Sequence, residues 1–154
     1  MPSAWRIVRA ARAHSAFTGE GSRIFPGRWN SRGRAVIYLS EYESLAALEI
    51  LVHTKALSAT ERYLAFQAEW DDKLTEYFRL KKLPIGWNEQ PPTIASRHIG
   101  DEWLDQKRSV ALAVPSLLST CELTFLINPN HPDFKKIKIG KPIEYRFDQR
   151  LSGR

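Results

Sequence analysis

One cysteine, Cys121, is all the chain has, so no internal disulfide can form and a reducing compartment is the easier expectation. Long apolar runs are missing too: nothing approaches the roughly 20 uncharged residues that a membrane helix needs. The opening residues, MPSAWRIVRAARAHSAF, carry charges where a signal peptide would have a continuous apolar stretch. A cytoplasmic protein with no membrane contact is expected. The four histidines, His14, His53, His98 and His131, lie far apart, and neither an HExxH nor a CxxC pattern occurs. No metal is therefore expected. A P-loop is absent, and the glycines of TGEGSRIFPG neither make GxGxxG nor follow a strand-to-helix turn, which disfavours a dinucleotide-binding parallel sheet. Repeats, low-complexity linkers and composition breaks are also lacking.

What is present fits one ordinary domain spanning residues 1–154. A chain of this size buries roughly 68–70% of the surface its unfolded form exposes, enough to stand without staples. Hydrophobic residues make up 43% and charged residues 26%, a balance that argues against disorder. The net charge of +6 invites a nucleic-acid reading. Yet the basic residues are scattered, as Arg6, Arg9 and Arg12, then Lys81 and Lys82, then Lys135, Lys136, Lys138 and Lys141. Ordinary solvated surface, with some attraction for an anionic ligand or acidic partner, accounts for them.

AWRIVRA and AVIYLS read as strands, separated by a Gly-, Ser-, Pro- and Arg-rich loop, HSAFTGEGSRIFPGRWNSRGR. ESLAALEILVHTKAL reads as a helix, with Ser40 and Glu43 spaced as a capping box. RYLAFQAEW, LTEYFRL, VALAVPS, LTFLINP and IEYRFDQRL are further strand candidates, and TIASRHIGDEWLDQKRS is one more helix. Strands outnumber helices without alternating regularly with them. The expected class is therefore α+β, a mixed or antiparallel β core with flanking helices.

On a helical wheel, Leu45, Leu48, Val52 and Ala56 gather on one face, and Glu49 falls among them. A carboxylate in an apolar stripe is unfavourable unless it is paired or the face opens onto a ligand cavity. His53 follows Glu49 by one turn. Cys121, in an apolar stretch, reads as a small buried hydrophobe rather than a nucleophile. The densest run of candidate chemistry is GRWNSRGRAVIYLSEYESLAALEILVH, in which a loop offers Arg28, a strand Tyr38 and a helix Glu49. Singly, each also reads as a surface arginine, a core aromatic and half of a structural ion pair.

Taken with its surroundings, this run resembles the RES-domain family, the toxins of RES–Xre toxin–antitoxin modules. The resemblance spans nearly the whole chain. It runs through WRIVRA, the glycines of FTGEG at Phe17–Gly21, GRWN at Gly27–Asn30, the IYLS strand and the LAALE helix ending in Val52–His53. It continues through IGDEWL at Ile99–Leu104, VPS at Val114–Ser116, LINPNHPDF at Leu126–Phe134 and FDQRL at Phe147–Leu151. The pattern departs at Thr124, where many relatives carry asparagine.

The resemblance implies an ADP-ribosyltransferase-like fold and NAD+ as substrate, cleaved between nicotinamide and ribose by a glycohydrolase or phosphorylase, with growth arrest as the result. Carried onto matching positions, the catalytic residues are Arg28, Tyr38 and Glu49. Arg28 and Tyr38 also bind substrate, as does Ser116, with Ser109 the weaker candidate for the family's serine. No cofactor is implied. The implied partner is an Xre-type helix-turn-helix antitoxin, through which DNA is reached only indirectly; a homodimer stays open. The near alternative is an ADP-ribosyltransferase modifying a protein. A basic RNA-binding or RNA-cleaving toxin and a non-enzymatic interaction module are the more distant ones, and the first would want the clustered basic and aromatic residues that are absent here.

Overall fold

Among the described residues there are eight strands, most of them supplied by β-branched and aromatic runs: β1 (Ser3–Arg9), β2 (Ile37–Ser40), β3 (Tyr63–Glu69), β4 (Thr75–Tyr77), β5 (Ala111–Pro115), β6 (Leu123–Ile127), β7 (Lys138–Ile139) and β8 (Ile143–Tyr145). The α-helices among the described residues are α1 (Glu20–Ile24), α2 (Glu43–His53) and α3 (Ile94–Gln106). The computed structural model describes residues 1–152. One sheet runs in the order β4-β5-β6-β2-β1-β3-β7, and β8 also pairs with β3. The β4–β5 pair is parallel and the others antiparallel, so the architecture is α+β on a mixed sheet. No helix among the described residues is long and apolar enough to cross a membrane.

Strand alternation divides the sheet into two faces. Ile37, Leu39, Ala111, Ala113, Phe125, Ile127, Ala4 and Ala68 form one core cluster, with Phe17 and Phe134 packed against it from the long loops. On the opposite face Leu112, Val114 and Leu126 pack under Trp103 and Leu104 of α3, while Ile7, Tyr63 and Ala65 pack under Ala46 and Ala47 of α2. The registers Tyr38↔Leu126↔Leu112 and Trp5↔Ser40↔Thr124↔Val114 put Tyr38 and Ser40 on this second face, in the strip between the two helices. The helix-bearing face is thus a groove floored by β2.

β1 and β2 meet at a single pair, Trp5↔Ser40. Past it Arg6 does what the ladder does not: its Nη1 donates to the Tyr38 carbonyl at 3.0 Å. Burial pulls this guanidinium down to about 10, which still leaves it charged at neutral pH. Its Nε is buried without a partner.

Several expectations need correction. The long loop before β2 contains a 3-10 turn at Ala10–Ser15 and the short α1. Ser40 ends β2 instead of capping a helix; Tyr42 is the residue before α2, and no side chain caps it. The helix stops at His53, so Ala56 lies beyond it. Leu48 and Val52 are 44% and 58% exposed, because α2 lies against the sheet through Leu45, Ala46 and Ala47. The small alanines let the helix approach closely, and that rotates the bulkier residues outward. β7 gave no separate signal in the sequence. Cys121 is exposed, in the β5–β6 connection, rather than buried.

Candidate active site

The segment Gly27–Arg34 carries the first candidate, and its conformation is set from below and from the side. Below it lies Tyr38, whose hydroxyl accepts the Trp29 backbone N–H at 3.1 Å and donates to Asn30 Oδ1 at 2.7 Å. The same Oδ1 accepts the Gly27 N–H at 2.9 Å, while Asn30 Nδ2 donates to the carbonyls of Ser22 at 2.8 Å and Arg34 at 3.1 Å. Asn30 is wholly buried, so its amide organises the turn instead of meeting solvent. Glycine is required at position 27 because a Cβ there would sit 2.7 Å from the Tyr38 hydroxyl.

From the side, α3 clamps the same segment. Ser96 Oγ donates to the Arg28 carbonyl at 2.8 Å, and Arg97 Nε donates to the Gly27 carbonyl at 3.1 Å. One turn on, the Asp101 carboxylate accepts both the backbone N–H and the hydroxyl of Ser31. Arg34 grips Asp105 through Nε and Nη2 at 3.0 and 2.8 Å. At Gly100 a Cβ would fall 1.7 Å from the Trp29 carbonyl oxygen, so only glycine lets the helix come this close. The GRWN and IGD motifs are two halves of one joint.

The Arg28 side chain turns toward a third element, the Pro-rich connection between β4 and α3. Its Nη1 donates to the carbonyls of Trp87 at 2.9 Å and Glu89 at 2.7 Å, and the Trp87 ring stacks on Trp29 with centroids 6.0 Å apart. Nη2 and Nε have no protein partner among the described residues. Partial burial lowers the Arg28 pKa from its ordinary value; the Glu49 carboxylate and Tyr38 oppose that shift, and the neighbouring Arg97 adds to it. The Arg28 guanidinium thus lies within electrostatic reach of Tyr38, Glu49 and Arg97.

Glu49 comes from the other wall, α2. It is a partly exposed carboxylate at the groove's edge rather than a charge inside an apolar stripe, so the burial argument that first drew attention to it does not hold. His53 Nε2 stands 3.5 Å from Glu49 Oε2, and this contact, more than any other, raises the His53 pKa above its ordinary value. Tyr38 is pushed up by burial, with Arg28 and Arg97 pulling the other way, and stays a neutral phenol.

Ser116 closes β5 on the same face of the sheet but four residues further along than the Tyr38 row, roughly 13 Å at strand rise. It is buried, and its Oγ accepts the backbone N–H groups of Leu118 and Ser119 at 3.2 Å each, which leaves the hydroxyl proton to donate. Ser109 is structural: it accepts from Trp103 Nε1 at 2.9 Å and donates to the Ala111 carbonyl at 2.8 Å. The fold thus gathers Arg28, Tyr38 and Glu49, and leaves Ser116 buried further along the same face of the sheet. Sequence reasoning overlooked Asn30, Ser96, Arg97 and Asp101. Their signal was present in GRWN and IGDEWL, yet which of these residues brace the loop and which face outward depends on the docking of α3.

Comparison with known proteins gives a consistent result. The RES domain family matches residues 3–148. A protein of Yersinia enterocolitica named "Toxin Res" is 36% identical over 148 residues, covering 96% of this chain and 97% of its own. A "Prs ADP-ribosylating toxin" of Sphingobium sp. strain YBL2 is 36% identical over 154 residues, covering 97% and 96%. Among solved structures, the M. tuberculosis MbcT–MbcA toxin–antitoxin complex includes a chain that superposes with a TM-score of 0.72 at 16% identity, over 93% of this chain and 83% of that one. At that identity the likeness establishes the fold alone.

Proposed function

The chain belongs to the RES-domain family of toxins, and from that premise we propose that it cleaves NAD+ between nicotinamide and ribose. The observation that carries this reading is that a guanidinium, Arg28, and a carboxylate, Glu49, stand on opposite walls of a groove floored by Tyr38, unpaired with each other but within electrostatic reach. When the bond from ribose C1′ to the nicotinamide nitrogen breaks, its electron pair leaves with the ring, which becomes neutral, and positive charge develops on the ribose. Catalysis then consists of orienting the dinucleotide and stabilising that charge. Arg28 retains Nε and Nη2 for a phosphate, and its planar fork fits two oxygens at once. Glu49 accepts a ribose hydroxyl and sets its negative charge beside the developing cation, as the stabilising carboxylate of a glycosidase does. What remains uncovered of the Tyr38 ring offers its face to the cationic nicotinamide, a contact of about 0.5–2 kcal/mol. Ser116 donates its hydroxyl to the substrate further along the same face.

Water or phosphate is the acceptor in this reading. A second reading, transfer of ADP-ribose to a protein, is favoured by the name of the Sphingobium relative. The partner proposed is an Xre-type helix-turn-helix antitoxin that carries the complex to DNA, acting with the toxin in the cytoplasm. Leu48 and Val52 lie exposed on either side of Glu49, so a protein seated on α2 would cover the carboxylate as it buried them.

The experiment is to induce the wild type and Glu49→Gln in cells and measure NAD+ and growth. Wild type should drain NAD+ and Glu49→Gln should not, with the variant folding normally. NAD+ that stays at its resting level during wild-type growth arrest would overturn the proposal. Free ADP-ribose or its phosphate as product would separate cleavage from transfer, which leaves label on protein.

A further inference from the structure

Resting on the NAD+ reading above, we propose that Arg97 is a second anion-binding side chain, forming with Arg28 a two-guanidinium clamp for the substrate's diphosphate. Arg97 is held close to Arg28 by the joint itself. Its Nε is pinned to the Gly27 carbonyl at 3.1 Å while its neighbour Ser96 pins the Arg28 carbonyl at 2.8 Å, so one turn of α3 fixes both backbone and guanidinium. With Nε committed, the two Nη groups have no protein partner among the described residues and do not count among the buried unpaired atoms. They stay at least partly accessible to solvent, an unused fork on a half-buried residue.

The nearby acids do not neutralise this charge. Asp101, one turn further along α3, is committed to Ser31 and approached by Arg34, and Asp105 is committed to Arg34. Glu49 belongs to the opposite wall and contacts His53. Two like charges are thus held near each other with no carboxylate among the described residues in contact with either, and Arg97 disfavours the charged form of Arg28. Such an arrangement is unfavourable until an anion sits between the cations. A diphosphate brings one negative charge per phosphate, and each guanidinium can present two parallel N–H donors to a pair of phosphate oxygens. Arg28 supplies Nε and Nη2, because its Nη1 straps the Trp87–Glu89 carbonyls; Arg97 supplies Nη1 and Nη2.

The test uses the purified full-length protein as wild type, Arg97→Gln, Arg97→Lys and, as control, the exposed Arg12→Gln. KM and kcat for NAD+ are measured, together with calorimetric binding of inorganic pyrophosphate. Arg97→Gln should raise KM and weaken pyrophosphate on the order of 10- to 100-fold, the span of one charge-assisted hydrogen bond. The effect on kcat should be smaller. Lysine should restore only part, since an ammonium keeps the charge but not the fork. Turnover of nicotinamide riboside, which has no phosphate, should fall less in Arg97→Gln than turnover of NAD+ does. Pyrophosphate affinity within about twofold of wild type in Arg97→Gln overturns the clamp, as does a wild type that does not bind pyrophosphate. If the glutamine variant melts lower than wild type, Arg97→Lys decides by the same criterion. A wild type that binds pyrophosphate but leaves NAD+ intact refutes the proposed activity while sparing the clamp.

Discussion

Substituting alanine for Gly100 tests whether the joint between α3 and the Gly27–Arg34 segment holds the site together. The added Cβ would stand 1.7 Å from the Trp29 carbonyl oxygen and 2.7 Å from the carbonyl carbon, where real contacts essentially never come under 3.0 Å. Helix and loop therefore have to part by about 1.3 Å or more, the kind of backbone shift that overpacking forces. No flexible side-chain end can absorb it, because the obstructing atoms are backbone. The separation stretches the Ser96–Arg28, Arg97–Gly27 and Asp101–Ser31 hydrogen bonds together. Overpacking alone costs about 1–3 kcal/mol, and each strained bond adds about 0.5–1.5 kcal/mol. A loss of about 3 kcal/mol corresponds to a Tm lower by roughly 6–12 °C for a chain of this length. The assay is thermal denaturation of Gly100→Ala beside Gly21→Ala. Gly21 lies in α1 with nothing within 4 Å of its Cβ direction, so alanine there should be neutral or stabilise by up to about 1 kcal/mol. Gly100→Ala melting with the wild type would refute the joint; a drop shared by Gly21→Ala would refute the steric reasoning.

Tyr38→Phe removes the acceptor of the buried Trp29 N–H, so urea denaturation should show a loss of about 1–3 kcal/mol along with reduced turnover. Unchanged stability with lost activity would instead make the hydroxyl chemically active. His53 bears on pH: its pKa is raised by Glu49, so its charged contact is complete below its ordinary 6.5 and fades as pH rises through the higher folded-state value. His53→Gln should therefore erase an inflection above pH 6.5 in the kcat profile of NAD+ consumption. A superimposable profile would mean that the pairing does not tune Glu49.

Strands were legible in the sequence because burial on a pleated sheet leaves its mark residue by residue. The runs that became β1, β2, β3, β5 and β6 are apolar and β-branched or aromatic whatever their partners are. The two-strand ladder of β7 is short and exposed, and it exists only because β3 offers an edge, so nothing local announced it. For α2 the helical type was evident, but its orientation was not. Periodicity suggested a stripe through Leu48 and Val52, whereas Ala46 and Ala47 face the sheet, since close approach favours small residues over large ones.

The site divides in the same way. By itself the sequence determined which residue types stand at positions 28, 38 and 49, and, by its likeness to a family, what chemistry they suit. That Tyr38 spends its hydroxyl holding the GRWN turn was decided only by tertiary structure, as were the strapping of Arg28 across two carbonyls and the roughly 13 Å between Ser116 and the Tyr38 row. Each of those depends on the approach of a chain segment distant in sequence, α3 above all. Hydrogen-bond partners and free donors are properties of pairs of atoms in space, and no single stretch of residues encodes them.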